Sequence, residues 1–133
     1  MTEESRHISV VIPRPAAEVF AFARDPGNLV RWAAGLTTGV RTDGEDLITE
    51  SPMGEVRVRF APDNAFGVLD HDVTLPDGTV VNNPLRVLVH PDGAEVLFTV
   101  RRLGASDADF DRDCATVLAD LERLRELLTG EDA

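Results

Sequence analysis

Residues 67–103 read GVLDHDVTLPDGTVVNNPLRVLVHPDGAEVLFTVRRL, and this stretch decides the fold. Apolar residues, many of them β-branched, alternate here with polar ones, which is the period of a half-buried strand. The runs are separated by Pro76-Asp77-Gly78 and Pro91-Asp92-Gly93. Asp-Gly between two such runs favours a tight hairpin turn, because glycine tolerates a positive φ. The stretch therefore predicts antiparallel strands joined by short turns.

The same pattern of turn residues extends toward the N-terminus, with predicted turns at Asp43-Gly44, Pro52-Met53-Gly54 and Pro62-Asp63-Asn64. Six consecutive strands are predicted, at 37–42, 46–51, 55–61, 67–75, 79–90 and 94–103. A further strand precedes them from His7 to Pro13, with Ile8, Val10 and Ile12 on one face. These strands are predicted to form one seven-stranded, curved antiparallel sheet.

Helices are predicted on both sides of the strand region. Pro15 reads as the first residue of a helix that is interrupted at Asp25-Pro26, and a second short helix is predicted over 28–34. At the C-terminus Ser106 resembles an N-cap, and the apolar residues after it recur at helical spacing. That stripe comprises Phe110, Cys114, Val117, Leu118, Leu121, Leu124 and Leu128. About 23 residues make a rod of about 35 Å, long enough to cross the sheet. The fold class is therefore α+β, with the sheet wrapped around a long C-terminal helix.

Length and charge limit what the chain can do. Its 133 residues are the length of one domain, and we expect a single domain over residues 1–133. A net charge of −11 disfavours nucleic acid and anionic membrane surfaces as partners. No apolar run is long enough to insert into a membrane, and the single cysteine cannot form an internal disulfide. A cytoplasmic location is the expectation.

The order of elements and two stretches of sequence resemble a known family. Residues 12–22 read IPRPAAEVFAF, Asp25-Pro26-Gly27-Asn28-Leu29 and Arg31-Trp32 follow, and residues 120–128 read DLERLRELL. Together they resemble the polyketide cyclase/dehydratase-like families of the START and pollen-allergen (SRPBCC) superfamily, which has the helix-grip fold. The resemblance covers nearly the whole chain and implies a hydrophobic cavity between the long helix and the sheet. It implies no single reaction, because its members include lipid carriers and cyclases.

His71 is the polar side chain that strand parity points toward the cavity. In 67–75 the apolar residues Leu69, Val73 and Leu75 share its face, whereas Asp70 and Asp72 take the other. Adjacent strand residues cannot converge on one ion, so Asp70-His71-Asp72 does not predict a metal site. The sequence leaves three interpretations of His71 open: a ligand contact, a catalytic acid or base, or a core histidine bonded to the backbone.

Two further polar candidates depend on local strand geometry. Counting back from Leu85 places Asn83 on the inner face, but Pro84 favours a bulge that would turn Asn82 inward instead. Arg102 follows Val96, Phe98 and Val100 on an inward face. It would then meet an anionic ligand group or, if the strand ends there, lie in solvent.

The remaining candidates are an aromatic and a thiol. Trp32 closes the second short helix and is either a core anchor or a surface for the ligand at the cavity mouth. Cys114 lies one turn after Phe110 on the apolar stripe and is predicted to be a small buried hydrophobe rather than a nucleophile. The three histidines have no zinc-binding spacing, and no nucleotide-binding motif is present. We expect neither a metal nor a cofactor.

The leading functional prediction is binding of a small, mostly hydrophobic molecule between the C-terminal helix and the concave sheet. The predicted lining comprises Trp32, Val56, Val58, Phe60, Leu69, His71, Val73, Asn83, Leu85, Val87, Phe98, Arg102, Phe110 and Cys114. One alternative is a cyclase/dehydratase-like enzyme that uses His71 as its acid or base, with Asn82 or Asn83 stabilising an oxyanion. Another is a protein–protein interaction module with a filled cavity, to whose outer surface Leu97 and Leu103 contribute. A monomer and a homodimer are both compatible with the sequence.

Overall fold

A computed structural model describes residues 3–36, 39–51 and 54–130. The elements are β1 (Ser5–Ile12), α1 (Ala16–Arg24), α2 (Pro26–Trp32), β2 (Arg41–Asp43), β3 (Asp46–Ser51), β4 (Gly54–Phe60), β5 (His71–Thr74), β6 (Val80–Asn83), β7 (Leu85–His90), β8 (Gly93–Arg101) and α3 (Asp107–Thr129). A single turn of 3-10 helix, Ala34–Leu36, follows α2. The predicted α+β class, the antiparallel pairing and the long C-terminal helix are confirmed.

The strands of the described chain form two sheets, so the prediction of one seven-stranded sheet is wrong. One sheet has the order β1-β8-β7 and the other the order β2-β3-β4-β5-β6, which makes eight strands. The strand predicted at 79–90 is divided at Pro84, since proline has no N–H to donate to a ladder. Before Pro84, β6 pairs with β5, and after it β7 pairs with β8.

The strand predicted at 67–75 is divided in the same way, at Asp70. Residues before it run along β7, with Leu69 N–H donating to Leu85 O at 2.8 Å and Val87 N–H donating to Gly67 O at 2.8 Å. Residues after it form β5, which pairs with β4 and β6. The chain therefore passes from one sheet to the other at Asp70, and the sheets are joined there.

Three predicted boundaries also shift or fall outside the described residues. The first two residues of the strand predicted at 37–42 lie outside the described residues. The strand that the structure describes there is β2. The predicted turn at 52–53 also lies outside the described residues. The second helix begins at Pro26 instead of residue 28, because Asp25 caps it by accepting from Gly27 N–H at 2.9 Å.

The long helix α3 has a cap at each end and one buried face. Ser106 Oγ accepts a hydrogen bond from Asp109 N–H at 3.1 Å, and Gly130 ends the helix with a φ of 74°. The buried residues of this face are Phe110, Cys114, Leu121, Leu124 and Leu128. Leu121, Leu124 and Leu128 belong to the main hydrophobic core, and the helix contacts β1 and β8. No helix of the described chain is both long and apolar enough to cross a membrane.

Candidate functional site

A cavity of about 370 Å³ lies between α3, α2 and the inner face of the five-stranded sheet. Its wall is mainly apolar, with a few polar side chains among the apolar ones. The lining residues are Leu29, Trp32, Ala33, Leu36, Thr49, Ser51, Val56, Val58, Phe60, His71, Val73, Leu85, Phe98, Val117, Asp120 and Leu121. A volume in this range is typical of small-molecule sites, which span about 300–1,000 Å³.

The alternation of side chains along β3 and β4 decides which of them form the cavity wall. Val56, Val58 and Phe60 alternate along β4, and all three line the cavity. On β3 the residue opposite Val56 is Thr49, so its side chain shares that face and enters the wall as well. The inner face of β3 is therefore the one with Leu47, Thr49 and Ser51. Glu50 lies on the opposite face, 3.6 Å from Arg41.

His71 stands in the cavity wall between two aromatic rings. Its ring centroid is 4.7 Å from that of Phe60 and 5.8 Å from that of Phe98, the latter in an edge-to-face arrangement. His71 Nδ1 lies 3.0 Å from Leu69 O. A carbonyl oxygen can only accept, so Nδ1 carries the proton and Nε2 of the neutral ring is the acceptor. Burial lowers the pKa of the His71 imidazole below its usual value, which favours this neutral form.

Asp120 is the acidic residue of the cavity wall. Its Oδ1 accepts from Ala34 N–H at 3.2 Å and from Arg123 Nη1 at 3.3 Å. Arg123 Nη1 also donates to Trp32 O at 3.0 Å, so this pair ties α3 to the end of α2. Burial raises the pKa of the Asp120 carboxyl above its ordinary value, while the hydrogen bond from Ala34 and the Arg123 charge act against the rise.

Trp32 is a core residue whose edge reaches the cavity. Only 4% of it is exposed, and it packs in the main hydrophobic core as well as lining the cavity. Its indole Nε1 is buried and has no hydrogen-bond acceptor within the described part of the chain. A buried indole N–H normally finds a partner, so this donor is unusual.

Among the described residues, two hydroxyl side chains line the cavity, and both donate their protons to the backbone. Thr49 Oγ1 donates to Gly39 O at 3.1 Å, and Ser51 Oγ donates to Gly54 O at 2.9 Å. Gly39 precedes β2, and Gly54 is the first residue of β4. These hydroxyl groups therefore fix local backbone while they line the cavity.

Three of the predicted lining residues, Leu69, Val87 and Asn83, do not line the cavity, and neither does Asn82, the alternative to Asn83. Leu69 and Val87 are instead buried in the main hydrophobic core, at 1% and 4% exposed. Asn83 stands opposite His71 in the β5–β6 register and so shares its face. Asn82 takes the outer face, where its Nδ2 donates to Asp72 Oδ1 at 2.8 Å. Neither amide is part of the cavity wall.

The last three predicted residues lie at or before the N-terminal part of α3. Phe110 and Cys114 form a small separate core with Val100. Arg102 lies beyond the end of β8, where it pairs with Asp107 and, at 2.7 Å, with Glu4. Its guanidinium also stacks 5.4 Å from the centre of the Phe110 ring. Phe98 and Val117 pack against this small core and also line the cavity, so the core adjoins the cavity without forming its wall.

Sequence reasoning missed several residues of the wall. They are Leu29, Ala33, Leu36, Thr49, Ser51, Val117, Asp120 and Leu121. Asp120 had a usable signal, because it follows Val117 by three residues and so lies at the edge of the apolar stripe. Thr49 and Ser51 had a weaker one, since their face is decided by the register of β3 with β4.

Solved structures share this architecture. A protein from Cytophaga hutchinsonii, ChR145, superposes with a TM-score of 0.73 at 16% identity, covering 98% of both chains. The AHSA1-like protein from Aeromonas hydrophila gives a TM-score of 0.66 at 19% identity, covering 95% of this chain and 94% of that one. The chain has the helix-grip fold. The resemblance noted in residues 12–32 and 120–128 is thus confirmed at the level of the fold.

A third helix-grip structure comes from a biosynthetic locus. DynU16, a protein of the dynemicin biosynthetic locus, superposes with a TM-score of 0.72 at 17% identity over 97% of this chain. The present chain spans about half the length of DynU16, 49%. No protein-family model matches the sequence, and no curated protein matches it significantly. At these identities the likeness describes the fold alone.

Proposed function

We propose that this protein binds a small, mostly apolar molecule in the cavity between α3 and the five-stranded sheet. The observation that carries the proposal is the cavity itself, about 370 Å³ with a mainly aliphatic and aromatic wall. This volume equals that of about 12 water molecules in the liquid, which suits a compound of one or two rings. Burial of apolar ligand surface would supply most of the affinity, at about 25 cal/mol per Å².

The first test asks whether a ligand is present and where it is held. Native mass spectrometry of the purified protein, followed by organic extraction, detects a bound compound. A Val117→Trp variant adds bulk to α3 inside the cavity, and Leu118→Trp adds the same bulk at the neighbouring position, which is 38% exposed. We expect Val117→Trp to lose the extracted compound and to bind naphthalene at least about tenfold more weakly.

The matched Leu118→Trp variant should behave as the unmodified protein. Circular dichroism establishes that both variants are folded, and Val117→Phe serves if the larger side chain prevents folding. Equal loss in both variants, or retention in both, would place binding outside the cavity and contradict the proposal.

Acid–base chemistry by His71 is a second candidate, favoured by one observation. A neutral imidazole whose Nε2 carries no proton is the form that a general base requires. The oxyanion role predicted for Asn82 or Asn83 has no support, because Asn82 bonds Asp72 on the outer face and Asn83 does not line the cavity. Incubating an extracted compound with the protein and with His71→Gln tests this candidate. Product formation at equal rates in both would exclude a role for His71.

The interaction module with a filled cavity has less support. An open cavity of about 370 Å³ does not fit a filled interior. Of the two residues predicted for its surface, Leu103 is 60% exposed and Leu97 is half-buried. Among the described residues, the most exposed large apolar side chains are Phe66 and Val89, at 82% and 88%, on another part of the surface.

A further inference from the structure

The polar groups of the cavity wall differ in what they can offer a ligand. Donors whose protons already bond the backbone have none left for a ligand, whereas acceptors keep lone pairs. The hydroxyl protons of Thr49 and Ser51 go to Gly39 O and Gly54 O, respectively. Their protons are therefore committed to the protein. A ligand gains little from these residues if it brings only acceptor atoms.

His71 likewise has no proton left to donate to a ligand. Its Nδ1 proton is donated to Leu69 O at 3.0 Å, which leaves Nε2 as an acceptor in the neutral ring. The ring lies between Phe60 and Phe98, both of which line the cavity with it. A ligand that reaches Nε2 must bring a proton of its own.

Asp120 adds a second acceptor to the wall. Both of its hydrogen bonds, from Ala34 N–H and from Arg123 Nη1, reach Oδ1. Among the described residues Oδ2 has no hydrogen-bond partner, and the side chain is 17% exposed. Arg123 already balances the charge of the carboxylate, so a neutral donor suits Oδ2 as well as a cation does.

The indole of Trp32 is a hydrogen-bond donor in the described wall, but it is not accessible to a ligand. Its Nε1–H is a donor without an acceptor in the described chain, but the nitrogen atom is fully buried. A ligand in the open part of the cavity therefore does not reach it. The net charge of −11 acts in the same direction, since it disfavours carboxylate ligands.

We propose that the cavity selects a hydrogen-bond-donating ligand, a compound of one or two rings with hydroxyl groups that donate to His71 Nε2 and to Asp120 Oδ2. Ketones, ethers and carboxylates of the same size bring only acceptors, and the groups that the described wall offers to a ligand, His71 Nε2 and Asp120 Oδ2, are acceptors as well. A buried acceptor without a donor is costly. This selectivity rests on the binding function proposed above.

The test compares three ligands of one skeleton by isothermal titration calorimetry. They are naphthalene, a naphthalenediol with its hydroxyl groups on different rings, and the dimethyl ether of that diol. The ether keeps both oxygen atoms and lacks only the donated protons. We expect the diol to bind about tenfold more tightly than the ether, which is the effect of one or two net hydrogen bonds.

Two variants test which side chains accept these protons, and a third serves as the control. Asp120→Asn keeps an oxygen for Ala34 N–H but offers an amino group in place of Oδ2, and His71→Phe removes Nε2 while keeping a ring. Each should lower the preference for the diol over the ether by about threefold or more. Asp113→Asn removes the same charge from an exposed position of α3, and it should leave the preference unchanged.

Each outcome bears on one of the two proposals. Equal affinity for the diol and the ether would overturn the donor selectivity while leaving the binding function intact, provided that Val117→Trp abolishes both affinities. A preference that survives both Asp120→Asn and His71→Phe would also overturn it. If none of the three compounds binds, the binding function itself fails for ligands of this size.

Discussion

Asp70 and Arg86 form a two-point ion pair where the chain passes between the two sheets. Arg86 Nε lies 2.8 Å from Asp70 Oδ1, and Arg86 Nη2 lies 2.7 Å from Oδ2. Asp70 Oδ1 also accepts from Leu85 N–H at 2.9 Å. A single carboxylate thus satisfies the first backbone donor of β7 and holds the side chain of the next residue. The junction that positions His71, one residue further on, depends on this carboxylate.

Replacing Asp70 should destabilise the protein by an amount that depends on the substitute. Asp70→Ala leaves the Leu85 N–H without its acceptor, and we expect a loss of about 2 kcal/mol in the free energy of unfolding. Asp70→Asn keeps an oxygen for Leu85 and loses the charge, so its loss should be about half as large, since Arg86 is 44% exposed and screened by water. Urea unfolding measures both. Asp72→Asn, at the exposed neighbour, is the control, and an equal loss there would contradict a specific role for Asp70.

The same carboxylate should make stability fall in acid. The hydrogen bonds from Arg86 lower the pKa of folded Asp70 below its usual value of 3.8. Its contribution is therefore present above the unfolded pKa and is lost as the pH falls through the folded pKa. Unfolding free energies measured from about pH 5 downward should drop more steeply for the unmodified protein than for Asp70→Asn. Parallel curves would show that Asp70 does not contribute to this dependence.

Gly67 is expected to tolerate no side chain, because its backbone approaches β7 closely. It has a φ of 74°, and a Cβ there would lie 2.0 Å from Val87 O. We expect Gly67→Ala to cost at least about 3 kcal/mol, combining left-handed strain with displacement of β7. Gly78 has a φ of 90° with no atom within 4 Å of such a Cβ. Gly78→Ala should therefore cost only the strain, about 1 kcal/mol. Thermal unfolding compares the two, and similar losses would exclude the close approach as the cause.

His71 should become a source of instability as the pH falls. Burial lowers the pKa of the folded imidazole below 6.5, so between that pKa and 6.5 the unfolded chain binds more protons than the folded one. Stability should then decrease as the pH falls from about 6.5, and His71→Phe should remove this part of the slope. An NMR titration of the His71 ring gives the folded pKa directly. A ring that titrates above 6.5 would contradict the assignment of a neutral imidazole.

We expect the volume of the Trp32 side chain, and not its indole N–H, to stabilise the core. Trp32→Ala removes a side chain that is 4% exposed, and we expect it to cost about 3–5 kcal/mol. Trp32→Phe keeps most of the apolar packing and removes a buried donor that has no acceptor in the described chain. Its cost should be below about 1.5 kcal/mol. Chemical denaturation measures both, and equal costs would mean that the indole N–H has a stabilising partner.

Much of the architecture could be predicted from local patterns. The spacing of Asp-Gly turns predicted antiparallel strands, and the stripe from Phe110 to Leu128 predicted α3, because turn chemistry and helical period act over a few residues. Strand parity along β4 also placed Val56, Val58 and Phe60 on one face. These features need no knowledge of what lies across the sheet.

The division into two sheets was not predicted, although Pro84 was recognised as a break in its strand. A proline shows that a ladder bond is missing, but it does not show whether the strand bulges or changes partner. The partner depends on which strands lie alongside β6 and β7, and the equivalent change at Asp70 depends on a side chain from a strand that is distant in sequence. Both are decided by long-range pairing.

Residue type, charge, turn positions and the period of each strand and helix were determined by the sequence itself, since each is a property of neighbouring residues. The composition of the cavity was decided by tertiary structure. Asp120 enters the wall because the cavity lies beside the middle of α3. Phe110 and Cys114 do not, because they lie about two turns and one turn nearer the N-terminus of the helix, and Arg102 precedes the helix. The position of a helix over a sheet depends on how all the buried side chains fit together, and no local pattern contains that information.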